Sequence, residues 1–305
     1  MYKENRMNEY KDFTQRWLDL IGKPVNYDFK HNLQLIRKFE TAEFDGELYE
    51  QANGPGTVQR TLLMLPKTIN EKLPAVVVPF YYPDRAAGYD LDTLEPTNEP
   101  NNAMALHLVR RGYVTVTAEA YHLTYRNLEL ERQDFSRWRL TADTLLHDHP
   151  EWTGIGKLIA DTQLLVDLLC SDPRVDNERI GIVGHSLGGK MALYTGCLDP
   201  RIKAILSSDF GIDWDRTNWA EPWYWGEKIN QLKAAQMDHA ELLRISGLKP
   251  FILIAGLYDN EDALDYLMRA GYSDSSRYLF INHASGHRPP LEVLDQAYDF
   301  LQTCF

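Results

Sequence analysis

The chain reads as an α/β protein built on a mostly parallel sheet with helices on both faces, and three observations predict it. Short apolar runs recur along the sequence ("PAVVVPF", "YVTVTA", "RIGIVG", "IKAILSS", "PFILIAG", "RYLFIN"), and continuous apolarity is the pattern of strands covered on both sides. Segments of helical periodicity separate these runs, as parallel neighbours require, because each pair must be joined by a right-handed crossover. Finally, a glycine-rich stretch, "GHSLGGK" (184–190), falls where one apolar run gives way to a helix.

The elements follow in order. "NEYKDFTQRWLDLIGKP" sets Phe13, Trp17, Leu18 and Ile21 at helical spacing and stops at Gly22 and Pro24, which predicts an N-terminal helix. "NLQLIRKFETAEFDGELYEQANGPG" and "TVQRTLLMLPKT" alternate apolar and polar residues between turn signals, the pattern of antiparallel edge strands. From Pro74 a buried strand precedes a helix carrying Met104, Leu106, Leu108 and Val109. The alternation then continues through "YVTVTAEAY", "GIGKLIADTQLLVDLLCSDP", "RIGIVG", "SLGGKMALYTGCLDP" and "IKAILSSDF". Beyond these come one helical stretch "EKINQLKAAQMDHAELLRIS", then "PFILIAG", "EDALDYLMRAG", "RYLFINHA" and "PLEVLDQAYDFLQTCF".

No linker or repeat interrupts this order, so one domain over 1–305 is expected, with 1–73 as its N-terminal helix and edge strands. Two insertions, 121–152 and 211–248, follow strand ends, where they would rim a ligand crevice. The second carries the aromatic run "NWAEPWYWG".

Composition narrows the function. With 44 acidic against 32 basic residues, a net charge of −12 and no basic run, nucleic acid and anionic membrane surfaces are excluded as partners. The polar start and the lack of an apolar span predict a cytoplasmic protein. The three cysteines are scattered without metal-ligand spacing. His147-Asp148-His149 lacks a third ligand, and the acidic run 259–265 lacks the glycine of a calcium loop. Neither a metal nor a cofactor is expected, and nothing in the sequence specifies an oligomeric state.

The stretch 184–190 carries the chemistry. Gly184-His185-Ser186-Leu187-Gly188 has the G-x-S-x-G form of a nucleophile elbow between strand and helix. A serine there needs a base, and the base an orienting acid. The base is expected after the final strand, in "INHASGHRPP", with His287 first and His283 second. For the acid two positions qualify: Asp259, after the strand preceding the histidine strand, is preferred over Asp209, after the strand that follows the nucleophile helix. His185 is read as a packing residue. The oxyanion donors are assigned to the Leu187 amide, at the new helix N-terminus, and to the Tyr82 amide with Tyr81 next. Tyr81, Trp219, Trp223 and Trp225 are candidates to wall the substrate pocket, with packing of the insertion as the competing role of the tryptophans.

These motifs, with "DPRVDNERIGIVG", "LDPRIKAILSSDFG" and "NHASGHRPP", resemble the dienelactone-hydrolase and acetyl-xylan-esterase-like branch of the α/β hydrolases over roughly Pro74 to Phe305. The Ser186–Asp209 arrangement also resembles the glucuronoyl esterases. The resemblance implies a serine carboxylic-ester hydrolase working through an acyl-enzyme on a small-molecule ester, with acetyl or glucuronoyl carbohydrate esters as the favoured class. The rivals are a serine peptidase of the prolyl-oligopeptidase type and a non-catalytic binding protein on the same fold.

Overall fold

The computed structural model describes residues 2–22, 33–54, 57–127 and 135–305, residues 2–11 by backbone alone. Helix α1 (Tyr2–Ile21) comes first. Trp17 and Ile21 on its apolar face are fully buried, and the Trp17 ring meets Tyr194 and Trp225 at centroid distances of 6.0 and 6.2 Å. Strands β1 (Leu33–Glu40), β2 (Phe44–Gly54) and β3 (Thr57–Pro66) form the antiparallel edge that the alternating pattern predicts.

Strand β4 (Leu73–Val77), helices α2 (Pro83–Ala87) and α3 (Met104–Arg110), and strand β5 (Val114–Ala118) follow. The first insertion holds α4 (Tyr121–Thr124) and α5 (Phe135–Asp148); its residues 128–134 lie outside the described ones. Next come α6 (Gly154–Ser171), β6 (Val175–His185), α7 (Leu187–Leu198) and β7 (Ala204–Ser208). The second insertion contributes α8 (Ile229–Ala234) and α9 (His239–Ile245), after which β8 (Phe251–Ala255), α10 (Ala263–Ala270), β9 (Tyr278–Asn282) and α11 (Leu291–Gln302) complete the chain.

All nine strands join one sheet in the order β1-β2-β3-β5-β4-β6-β7-β8-β9. From β5 onward every pairing is parallel. Strands β5, β7 and β8 are buried throughout, and the side chains of the central strands alternate between two cores. Ile180 and Ile182 of β6 face the core that contains Trp17, Tyr121 and Tyr194, whereas Val183 faces the one with Phe44, Tyr89 and Tyr298. The chain runs from β4 to one side, then crosses to β6 on the other. That reversal opens a crevice at the strand ends, the place where ligands bind in open sheets of this kind.

The helical stretch read as one element in the second insertion is two. Gln236 adopts φ 55°, which breaks α8 from α9, and the Asp238 carboxylate caps α9 by accepting from the Glu241 N–H at 3.2 Å.

Candidate active site

Ser186 stands between β6 and α7 with φ 57° and ψ −116°, a conformation that costs a non-glycine residue on the order of 1–3 kcal/mol. Its surroundings hold it there. The Ser186 N–H donates to the Ser208 carbonyl at the end of β7, 2.8 Å away. A Cβ at Gly184 would stand 2.0 Å from the Gly188 carbonyl oxygen, and one at Gly188 would stand 2.1 Å from that of Pro79. Both glycines of the motif are therefore demanded by backbone, which cannot step aside as a side chain could. Leu187 opens α7 directly after Ser186, so its N–H has no partner within the helix.

His287 lies in the loop between β9 and α11. Its Nδ1 is 2.6 Å from Oδ2 of Asp209, which follows β7 and is wholly buried. Four amides of the loop after β8 also donate to the Asp209 carboxylate: Gly256 (3.2 Å), Leu257 (3.1 Å), Tyr258 (2.8 Å) and Asp259 (2.9 Å). Burial alone would raise the pKa of Asp209, but the bonds from His287 and these amides outweigh it and hold the carboxyl below its ordinary value.

The expectation that Asp259 pairs with the histidine is thus corrected to Asp209. Asp259 faces the other way: its Oδ2 accepts from the N–H groups of Phe210 and Gly211, both at 2.9 Å, and its Oδ1 from that of Ile212 at 2.6 Å. Burial first, with the neighbouring Asp209 charge contributing, pushes its pKa up to about 6.

The other histidine of the loop, His283, bonds through Nδ1 to the Ser285 hydroxyl at 2.7 Å and accepts from the Ser285 N–H, which folds the loop. His185 is buried, bonds Ser208 Oγ through Nδ1 at 3.1 Å, and packs its ring 4.5 Å from that of His287. Burial, with the His287 charge next, lowers its pKa to about 3, so it stays neutral and serves as packing.

Ser186, Asp209 and His287 line one cleft of about 570 Å³, together with Tyr81, Trp138, Tyr224 and Lys190. Tyr81 lines the cleft with Ser186, and burial raises the pKa of its phenol, which stays neutral. Its ring stacks on Trp138 at 4.9 Å, and its carbonyl accepts from the Ala120 N–H at 3.0 Å. Tyr82 caps α2 in an extended conformation, its ring 5.9 Å below the Arg85 guanidinium. From this loop, then, it is Tyr81 that lines the cleft with Ser186.

The three tryptophans proposed for the pocket are corrected. Trp219, Trp223 and Trp225 are buried. The Trp219 indole N–H donates to the Gly211 carbonyl at 2.7 Å and that of Trp225 to the Tyr194 hydroxyl at 3.1 Å, so the first braces the insertion internally and the second fastens it to α7. Trp223 stacks on Phe135 at 6.1 Å in a neighbouring hollow. Trp138 and Tyr224 are instead among the aromatic residues that line the cleft, and the spacing within "NWAEPWYWG" did not separate inward rings from outward ones.

Lys190 went unread. It stands one helical turn after Ser186, a spacing that places both on one face. Its Nζ bonds Thr217 Oγ1 at 2.6 Å and Asn218 Oδ1 at 3.0 Å and lies 4.3 and 4.4 Å from the ring centroids of Trp219 and Tyr224. Burial lowers its pKa to about 7, against the pull of Asp259. Among the described residues no cluster of three or more metal-ligating side chains is present, and no described helix is long and apolar enough to cross a membrane.

A nucleophile-type elbow at the switch point of a mostly parallel sheet defines the α/β-hydrolase class. The chain belongs to the Abhydrolase family, whose model matches residues 3–217; that of the prolyl oligopeptidase family matches residues 156–305. A curated relative, the 2,6-dihydropseudooxynicotine hydrolase of Paenarthrobacter nicotinovorans, is 30% identical over 46% of this chain and 43% of its own length. The chain therefore matches less than half of that relative. Among solved structures, a glucuronoyl esterase from Solibacter usitatus superposes with a TM-score of 0.73 at 15% identity, covering 97% of this chain and 92% of that one. Acetyl xylan esterase 1 from Thermoanaerobacterium sp. JW/SL YS485 does so with a TM-score of 0.63 at 17% identity, covering 97% and 94%. At these identities the likeness is one of fold.

Proposed function

We propose that the protein is a serine carboxylic-ester hydrolase that works through an acyl-enzyme. The observation that carries this reading is the 2.6 Å Asp209–His287 bond in the cleft that also holds Ser186. In the mechanism, Asp209 fixes the His287 tautomer by accepting from Nδ1–H, which leaves Nε2 to take the proton of the Ser186 hydroxyl as its oxygen attacks the ester carbonyl. The Leu187 N–H and the Tyr81 O–H stabilise the oxyanion; the Tyr82 amide is the alternative second donor. His287 returns the proton to the departing alcohol, then activates a water that releases the acid and restores Ser186.

Carbohydrate esters are the favoured substrate class. The cleft joins the aromatic faces of Trp138 and Tyr224 to the hydrogen-bonding groups of Lys190, Thr217 and Asn218, a combination suited to a polyhydroxylated ring, and two of its fold neighbours are named for glucuronoyl and acetyl xylan ester cleavage. The match to the prolyl oligopeptidase family keeps a peptidase as the second reading, which an aminopeptidase assay separates.

The test is covalent labelling by a fluorophosphonate with intact mass and peptide mapping. Stoichiometric modification of Ser186, lost in Ser186→Ala and His287→Ala, is expected. A folded wild-type protein that takes no label would remove the esterase reading and leave a binding role.

A further inference from the structure

Asp209 and Asp259 follow adjacent parallel strands, and each loop grips the carboxylate of the other. The loop after β8 gives four amides to Asp209, and the loop after β7 gives three to Asp259. We propose that Asp259 is the positioning residue for the catalytic acid: its carboxylate organises residues 210–212 and thereby fixes where Asp209 meets His287. The inference rests on the reading of Asp209 as the triad acid.

Local geometry supplies the reason. Asp209 has φ 41° and Gly211 φ 76°, so the chain leaving β7 turns through two left-handed residues. Such a turn makes successive N–H groups converge into an anion-binding concavity. Those N–H groups are buried and need an acceptor; the Asp259 carboxylate supplies one for all three. Its own N–H closes the circle by donating to Asp209 Oδ1 at 2.9 Å. Removing the Asp259 charge therefore acts on the acid from both sides. Three amides lose their acceptor beside it, and the loop that donates to it loses its tether. The charged groups that face Asp259 are Asp209 and Lys190. Neither can replace it, since Asp209 is already engaged and a lysine offers no acceptor.

An amide in place of this carboxylate keeps one acceptor oxygen and turns an N–H₂ toward N–H donors. Displacements of about 1 Å in a catalytic constellation cost on the order of 10²-fold. Asp259→Asn is therefore expected to lower kcat for p-nitrophenyl acetate by about 10- to 100-fold with KM nearly unchanged, and to slow fluorophosphonate labelling of Ser186 in parallel. Asp259→Glu, which restores the anion, is expected to recover part of that loss.

Asp209→Asn, measured beside it, is expected to lose far more, about 10⁴-fold by analogy with the removal of a triad acid. A folded Asp259→Asn enzyme with wild-type kcat overturns the proposal. Should that variant not fold, Asp259→Glu decides: its added methylene displaces the three amides, so a several-fold lower kcat is expected, and wild-type kcat overturns the proposal. If Asp259→Asn loses about 10⁴-fold while Asp209→Asn stays active, Asp259 is the acid itself and both assignments fall. If Ser186→Ala retains activity, the hydrolase reading fails independently of the clasp.

Discussion

Tyr81 lines the cleft with Ser186, and burial keeps its phenol protonated. A neutral O–H can donate to a developing oxyanion, and losing one such donor costs about 10²- to 10³-fold in kcat. Tyr81→Phe keeps the ring that stacks on Trp138. Its kcat is expected to fall by about that factor at an unchanged melting temperature, as read from steady-state kinetics beside a thermal scan. If the fall is absent, the second oxyanion donor is a backbone amide, as the sequence suggests.

At this scale the sequence was most legible where residue type is dictated by backbone, at Gly184, Ser186 and Gly188. It was least legible for the acid. Asp209 and Asp259 each follow a buried strand and each satisfy the chain order of serine, acid and histidine, so order alone could not choose between them. The choice is made by which loop offers which amides, and backbone N–H groups carry no residue-specific signature.

Among the elements, the second insertion is held to α7 by Lys190 on one side and by the Trp225 indole, through Tyr194, on the other. Lys190→Met preserves length and removes the donor, leaving Thr217 and Asn218 without it. Leaving a buried polar group unsatisfied costs about 1–3 kcal/mol. The variant is expected to melt a few degrees lower and to raise KM, because this segment forms a wall of the cleft, while still accepting the fluorophosphonate at Ser186. An unchanged KM would show that the wall does not depend on Lys190.

The break between α8 and α9 was readable in principle. "DHAE" (238–241) is an Asp-x-x-Glu capping signal in the middle of the stretch. The direction of the tryptophans was not readable, because an irregular segment has no period from which to assign a face.

For the whole molecule, four buried histidines set the acid limit of stability. His107, His122, His185 and His239 have pKa values lowered by burial, to about 4, 3, 3 and 4. In the unfolded chain they protonate near pH 6.5. Their contribution is complete above that pH and is lost as the pH falls toward the folded values. Asp161 and Asp259, raised to about 6 by burial, act in the opposite sense, since the folded state binds their protons first. The balance between pH 6 and 5 is an uptake of about two protons on unfolding, or roughly 2–3 kcal/mol of stability lost per pH unit. Urea unfolding at pH 7, 6 and 5 is expected to show that decline; a flat profile would mean that these histidines are charged in the folded protein.

The parallel order of β4 to β9 was legible from alternation alone. The exchange that sets β5 outside β4 was not, because buried strands of similar composition offer no register by which to rank neighbours.

The paired aspartates have one more consequence, in terms of how such a site can change. Each carboxylate is already seated among amides of the loop that follows the neighbouring strand, and each is an acceptor. A different path for the histidine loop between β9 and α11 could present its imidazole to the second carboxylate without a change at either aspartate. The strand that supplies the acid is then a property of the histidine loop, and insertions or deletions within 283–289, far from either aspartate in sequence, are the changes able to exchange their duties.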